Sequence, residues 1–243
     1  MQPLKRDETI NTLPKTCASA ASNHAMINAH CHRELALSVW EIVSFDAANV
    51  TPAQLCGGYY SLGLHPWYLA TSKVADGLQN LAAHAADKNL LAVGECGLDA
   101  AIALPLNTQI PVFEQQIELA INWRKPLMIH CVRAYHELLR IKKCHAARSC
   151  WIIHGFNGKP ALAEQLLQQD CYLSIGKALL QPLSPLRSSL PQIPLSRLFL
   201  ETDAADDLTI AQVYALAANI LAIDSTELQR IVLDNFNRVF LHE

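Results

Sequence analysis

A chain of 243 residues with 51% hydrophobic and 17% charged side chains has the balance of a folded protein, long enough for one large domain with an apolar interior. Its formal net charge of −3 and pI near 6.4 exclude the strongly basic footprint of a protein built to coat nucleic acid, so any polyanion must be gripped locally, most simply through metal. No run of about 18 apolar residues is available to span a bilayer. The 8 cysteines (Cys17, Cys31, Cys56, Cys96, Cys131, Cys144, Cys150 and Cys171) form no Cys-x-x-Cys pair, which reads as a reduced, cytoplasmic protein whose thiols pack as small hydrophobes.

Residues 1–24 show no clear period, and after Lys5-Arg6 they carry Asp7, Glu8 and Asn11 instead of an apolar core. They read as an N-terminal leader, not a secretory signal, ahead of a single domain over residues 25–243. The first apolar run, Ala25-Met26-Ile27, leads into Asn28-Ala29-His30-Cys31-His32. In an extended strand i and i+2 share a face, so His30 and His32 can aim both imidazoles at one point. Only Arg33 to Ser38 separate them from the second run, Val39 to Phe45. A parallel crossover normally takes a dozen residues or more, so this link is expected to be short and non-helical.

The third run, Tyr59 to Leu64, ends at His65-Pro66-Trp67, where Pro66 disfavours helix at His65. The spacing of Val74, Leu78, Leu81, Ala82 and Ala85 predicts a helix over 73–86. The fourth run, Leu90 to Gly94, ends in Glu95-Cys96-Gly97-Leu98-Asp99, whose glycines permit an unusual turn around the acid. A helix is expected from Pro111 to Trp123, then a fifth run, Leu127-Met128-Ile129, ending at His130, and a helix over 134–143. The basic residues Arg140, Lys142, Lys143 and Arg148 read as a solvated helix face rather than a DNA track. The sixth run, Cys150 to Ile153, ends at His154-Gly155-Phe156-Asn157-Gly158, and Pro160 opens a helix to about Gln169. The seventh run is Cys171 to Gly176. A Pro- and Ser-rich loop over 181–194 leads to the eighth, Leu198-Phe199-Leu200, which ends in Glu201-Thr202-Asp203. Two helices close the chain, near 209–221 and from Asp224, whose spacing to Glu227 resembles a capping box.

Eight short strands alternating with helices predict an α/β fold, a (β/α)8 TIM barrel with a shortened connection between strands 1 and 2. An open doubly wound sheet is the alternative, but no Gly-x-Gly-x-x-Gly follows the first strand. Barrel active sites lie at the carboxyl ends of the strands. That is where His30, His32, His65, Glu95, His130, His154 and Asp203 fall. Each has an ordinary reading by itself: Asp203 as a helix cap, Glu95 as a partner for lysine, His130 and His154 as satisfied core or loop histidines. Accident does not readily place them all on one rim. Imidazole with carboxylate is the ligand set of hydrolytic divalent metals, Glu95 can bridge two ions, and Asp203 can hold or deprotonate the attacking water.

The chain resembles the TatD family of metal-dependent hydrolases through His30-Cys31-His32, Gly63-Leu64-His65-Pro66, Val93-Gly94-Glu95-Cys96-Gly97-Leu98-Asp99, Pro126-Leu127-Met128-Ile129-His130, Ile153-His154-Gly155-Phe156-Asn157-Gly158, Leu200-Glu201-Thr202-Asp203 and Asn235-Phe236-Asn237-Arg238-Val239-Phe240. The resemblance implies one or two divalent ions (Zn, Mg or Mn) held by His30, His32, Glu95, His130, His154 and Asp203, with His65 near the scissile phosphate. It also implies hydrolysis of DNA or a small phosphoester, as a deoxyribonuclease. Hydrolysis of a small amide, lactone or carboxylic ester is the alternative, because the same activated water attacks a carbonyl. The chain departs from the family pattern at Asn28, where an acid is usual, and in its short links around strand 2. Asp99 reads as a turn acid or a group behind the ligands. Cys31, Cys96 and Cys131 read as packing, and Trp67 either stacks on a base or packs over the rim.

Overall fold

The computed structural model describes residues 25–33, 39–55, 57–69, 73–145 and 149–242. The expected leader, the link over 34–38 and Arg148 lie outside the described residues. Eight parallel strands pair in chain order: β1 (Met26–Cys31), β2 (Val39–Asp46), β3 (Tyr59–Gly63), β4 (Leu90–Asp99), β5 (Leu127–Val132), β6 (Trp151–Ile153), β7 (Tyr172–Ile175) and β8 (Leu198–Leu200). The sheet closes on itself through a parallel bridge between Cys31 and Asp203, with the Asp203 amide donating to the His30 carbonyl at 3.0 Å. This is the TIM barrel.

Between the later strands run α1 (Val74–Ala83), α2 (Leu106–Trp123), α3 (Tyr135–Cys144), α4 (Pro160–Leu167) and the short α5 (Leu186–Ser189), followed after β8 by α6 (Ile210–Leu221) and α7 (Ser225–Phe236). The strands are nearly continuous runs of buried apolar residues, as sheets covered on both faces require. The helices bury one stripe each, such as Phe113, Ile117 and Ala120 on α2. Polar ties then fix their positions. Tyr214 on α6 exchanges hydrogen bonds with both the amide and the carbonyl of Ile27, at 3.2 and 3.1 Å, and so anchors the first strand.

Five expectations change in the fold. Strand β4 does not stop at Gly94 but continues to Asp99, with an irregular register between Val93 and Cys96, because the glycines let the chain distort without leaving the sheet. Helix α2 begins at Leu106, with Pro111 inside it. That proline removes one backbone bond, but burial of Gln109, Phe113 and Gln116 holds the turn on either side. The loop over 181–194 contains α5. Lys142 is not on a solvated face: it is 1% exposed, with its ammonium 3.0 Å from the Ser149 carbonyl and 4.9 Å above the Trp151 ring. The reciprocal capping box belongs to Thr209 and Gln212 at the start of α6, whereas Asp224 caps α7 with its own carboxylate and Glu227 pairs with Arg230.

Burial holds the Lys142 pKa below its ordinary 10.5, so between those two values the unfolded chain binds more protons and stability rises with pH. The stability difference between the wild-type protein and Lys142→Met is therefore expected to shift in favour of wild type as pH rises from 7 towards 10 in urea unfolding. At Gly97, φ is +140° and an added Cβ would meet the His130 carbonyl oxygen at 2.1 Å. Gly97→Ala is expected to destabilise by more than about 1 kcal/mol in the same measurement.

Candidate active site

The site is centred on Glu95, carried on the distorted stretch of β4. Gly94, with φ +138°, lies so close to β5 that a Cβ would meet the Met128 carbonyl oxygen at 2.2 Å, and Gly97 repeats this approach at His130. Between the two glycines the Glu95 side chain turns to the mouth of the barrel, where the other strand ends converge. His30 lies within β1 and His32 just past it. His65 follows β3, His130 lies in β5, His154 follows β6, and Asp203 lies beyond β8.

The two Glu95 oxygens face different groups. Oε2 is 3.4 Å from His30 Nε2 and 3.5 Å from His32 Nε2, and the same two nitrogens lie 3.6 and 3.3 Å from Asp203 Oδ1. Oε1 is 3.0 Å from His65 Nε2, 3.0 Å from His130 Nδ1 and 2.7 Å from His154 Nε2. All seven residues singled out from the strand ends thus meet around one carboxylate.

The first set is too widely spaced for good direct hydrogen bonds. Ligand atoms about 2.1 Å from a common centre lie about 3.4 Å apart at the corners of a tetrahedron, which is the spacing seen among His30, His32, Glu95 and Asp203. His30 is 0% exposed and neither of its ring nitrogens has a hydrogen-bond partner. A buried imidazole left in that state is costly unless a cation takes its lone pair. The donor set and the orphaned nitrogens fit a divalent metal.

Groups behind the cluster orient it. The Asp99 carboxylate lies 3.1 Å from His130 Nε2, a contact that places the proton on Nε2 and leaves Nδ1 free to face Glu95. The Trp67 amide donates to His65 Nδ1 at 3.1 Å, which places the His65 proton on Nε2, pointing into the site. Glu201, not singled out from sequence, is 1% exposed and lies 3.6 Å from His154 Nδ1. It accepts from the Gly155 amide at 2.6 Å and from the Ser174 hydroxyl. Its signal was the i, i+2 spacing to Asp203, the same argument that paired His30 with His32.

Two buried glutamines on α2 were also missed. Gln116 brackets Leu64, accepting from its amide at 2.7 Å and donating to its carbonyl at 3.2 Å, while Gln109 does the same for Asp99 at 2.8 Å on both sides. They set the backbone beside His65 and behind His130. The thiols of Cys31, Cys96 and Cys131 are buried, consistent with packing.

Burial would raise the Glu95 pKa, yet the charge of His154 beside it holds it well below the carboxylate range. Against the same burial, Glu95 and Glu201 hold His154 well above 6.5. The Asp203 and Glu95 carboxylates raise His32 to about 9. Burial lowers His65, despite Glu95 beside it. The cluster is an electronegative pocket that collects positive charge. It opens into a cleft of about 370 Å³ lined also by Ser44, Phe45, Asp46, Trp67 and Tyr68.

Eight parallel strands that gather imidazoles and carboxylates where their carboxyl ends meet define a barrel of the enzyme type. Residues 48–241 match the family model described as TatD related DNase, and the chain belongs to that family. Over 120 residues it is 38% identical to the human 3'-5' RNA nuclease TATDN2, a stretch that is 47% of this chain and 16% of that protein. Over 151 residues it is 32% identical to the Escherichia coli K12 protein named uncharacterized metal-dependent hydrolase YjjV, covering 61% of this chain and 58% of the other. Over 120 residues it is 35% identical to the 3'-5' ssDNA/RNA exonuclease TatD of Edwardsiella piscicida, covering 47% and 46% respectively. The matched stretches thus span less than two thirds of these curated relatives. The crystal structure of YjjV superposes with a TM-score of 0.79 at 26% identity, covering 90% of this chain and 99% of that one.

Asn28, where the family pattern has an acid, is buried and joins β1 to the end of β8: its Oδ1 accepts from the Thr202 amide at 3.0 Å and its Nδ2 donates to Thr202 Oγ1 at 2.9 Å. Asn28→Ala leaves that amide without a partner beside Asp203 and is expected to cost about 1–3 kcal/mol in urea unfolding.

Proposed function

We propose that the chain is a divalent-metal-dependent phosphodiesterase acting on nucleic acid, DNA or RNA with a free single-stranded end. The observation that carries this reading is the Glu95 carboxylate, split between two sets of imidazoles, with His30 buried beside it and unsatisfied. His30, His32, Glu95 Oε2 and Asp203 would hold one ion, and Glu95 Oε1 with His130 and His154 a second. Zn, Mn and Mg are the candidates. Divalent metal supplies Lewis acidity towards phosphoryl oxygens and makes water a nucleophile near neutral pH.

The chain's own residues do the rest. His65, with its proton on Nε2, donates to a non-bridging phosphate oxygen and orients the scissile group. The Asp203 side chain is 42% exposed to the cleft and its pKa is held below the ordinary range, so it is ionised at neutral pH and positions the attacking water, accepting its proton. Asp99 keeps the His130 ring in register, and the Glu201 carboxylate faces His154 with opposite charge. The supporting context is family membership, together with relatives named as nucleases of RNA and single-stranded DNA. Among the described residues no helix is long and apolar enough to cross a membrane. The buried thiols of Cys96, Cys131 and Cys171 suit the reducing cytoplasm as the site of action.

A panel of single-stranded DNA and RNA, small phosphodiesters, amides and lactones tests the reading. Nucleic-acid hydrolysis is expected, abolished by chelation, and reduced about 10³-fold or more in kcat by Asp203→Asn or Glu95→Ala. Hydrolysis of amides or lactones with inertness towards every phosphoester rejects it. Glu201→Gln is expected to weaken divalent-metal affinity about tenfold or more by calorimetry, because His154 loses its carboxylate partner.

A further inference from the structure

Trp67 stands directly after the His65-Pro66 turn, and its indole is 57% exposed, facing the cleft that the metal-binding cluster opens into. An indole so exposed is not there to fill a core. Nor is it loose. Its N–H donates to Asp99 Oδ2 at 2.7 Å, and Asp99 is itself 2% exposed and bracketed by Gln109. Its backbone amide is held by His65 Nδ1, and the two rings meet edge to face at 5.0 Å and 87°. The ring is therefore fixed in position with a face open to solvent, and Tyr68 (46% exposed) and Phe45 line the same cleft.

Presenting an apolar face rigidly to water gains nothing for the folded chain, whereas it gives a planar aromatic ligand a surface to stack on with little entropy left to lose. The same Asp99 oxygen that holds the indole N–H lies 3.1 Å from His130 Nε2. The platform and the cluster are thus set by a single carboxylate.

We propose that Trp67 is a specificity residue: its indole stacks on the nucleobase adjoining the scissile phosphate, and Asp99 fixes the distance between that base and the hydrolytic centre. This rests on the phosphodiesterase reading above and narrows it. The substrate end must carry an aromatic base, and that base must be free of its stack and its partner strand, which selects single-stranded or frayed ends over blunt duplex.

The test compares steady-state kinetics of the metal-loaded enzyme on a short single-stranded DNA with those on the same oligonucleotide carrying abasic residues flanking the cleaved phosphate. Wild type is expected to show a KM about tenfold or more lower for the intact oligonucleotide. Trp67→Ala should make the two KM values equal, and Trp67→Phe, which keeps a ring but loses the N–H that Asp99 holds, should retain only part of the discrimination. The wild-type comparison needs no variant to fold. Cleavage of both oligonucleotides with equal KM by wild type overturns the stacking role and leaves the phosphodiesterase reading standing. Discrimination that persists in Trp67→Ala also overturns it. Cleavage of neither overturns the stacking role on single-stranded DNA, and the panel above, with RNA and small phosphodiesters, then decides the phosphodiesterase reading separately.

Discussion

A carboxylate buried to 7% exposure among five imidazoles is the constraint on which this structure turns. Alone, an ionised acid in such a place would carry a heavy desolvation cost, and five histidines without it would repel one another once charged. Together they form an arrangement in which both Glu95 oxygens face imidazole nitrogens, while the nitrogens of His30 are left for a cation. Glu95 reaches the centre only because Gly94 and Gly97 let β4 press against the β5 backbone more closely than any side chain would permit.

Closure of the barrel and construction of the site are the same event. The bridge that seals β1 to the end of β8 joins Cys31 to Asp203, and its hydrogen bond runs to the carbonyl of His30. Asn28 reinforces that seam from below with both ends of its amide. An acid at this position could accept both bonds from Thr202, but it would also place a second carboxylate beside Glu41, whose Oε1 lies 3.3 Å from Asn28 Nδ2. The amide is thus matched to its neighbour across β1 and β2, and the change from the usual family residue is locally consistent.

The orienting groups show a common logic. Asp99 behind His130, Glu201 behind His154 and the Trp67 amide behind His65 each face the ring nitrogen turned away from the centre. Ser44, Phe45 and Asp46 line the cleft, so the end of β2 makes part of its wall.

The apolar runs and the polar residues that end them were enough to read eight strands, a barrel and all seven residues of the rim. Strand period and burial are local properties, and catalytic side chains in this fold sit where strands stop. What the sequence could not show is what depends on contacts between distant segments. Pro111 read as a helix start, because nothing local reveals that Gln109 and Gln116 are clamped to Asp99 at the end of β4 and to Leu64 just past β3. Lys142 read as solvated, because its burial is decided by the Ser149 carbonyl and the Trp151 ring that fold over it. Glu201 passed unnoticed until His154, Gly155 and Ser174 closed around it. Residue type and spacing determined which groups arrive at the rim. Only the closed barrel decided which ring nitrogen of His130 and of His154 faces the centre, since Asp99 and Glu201 reach them from other strand ends.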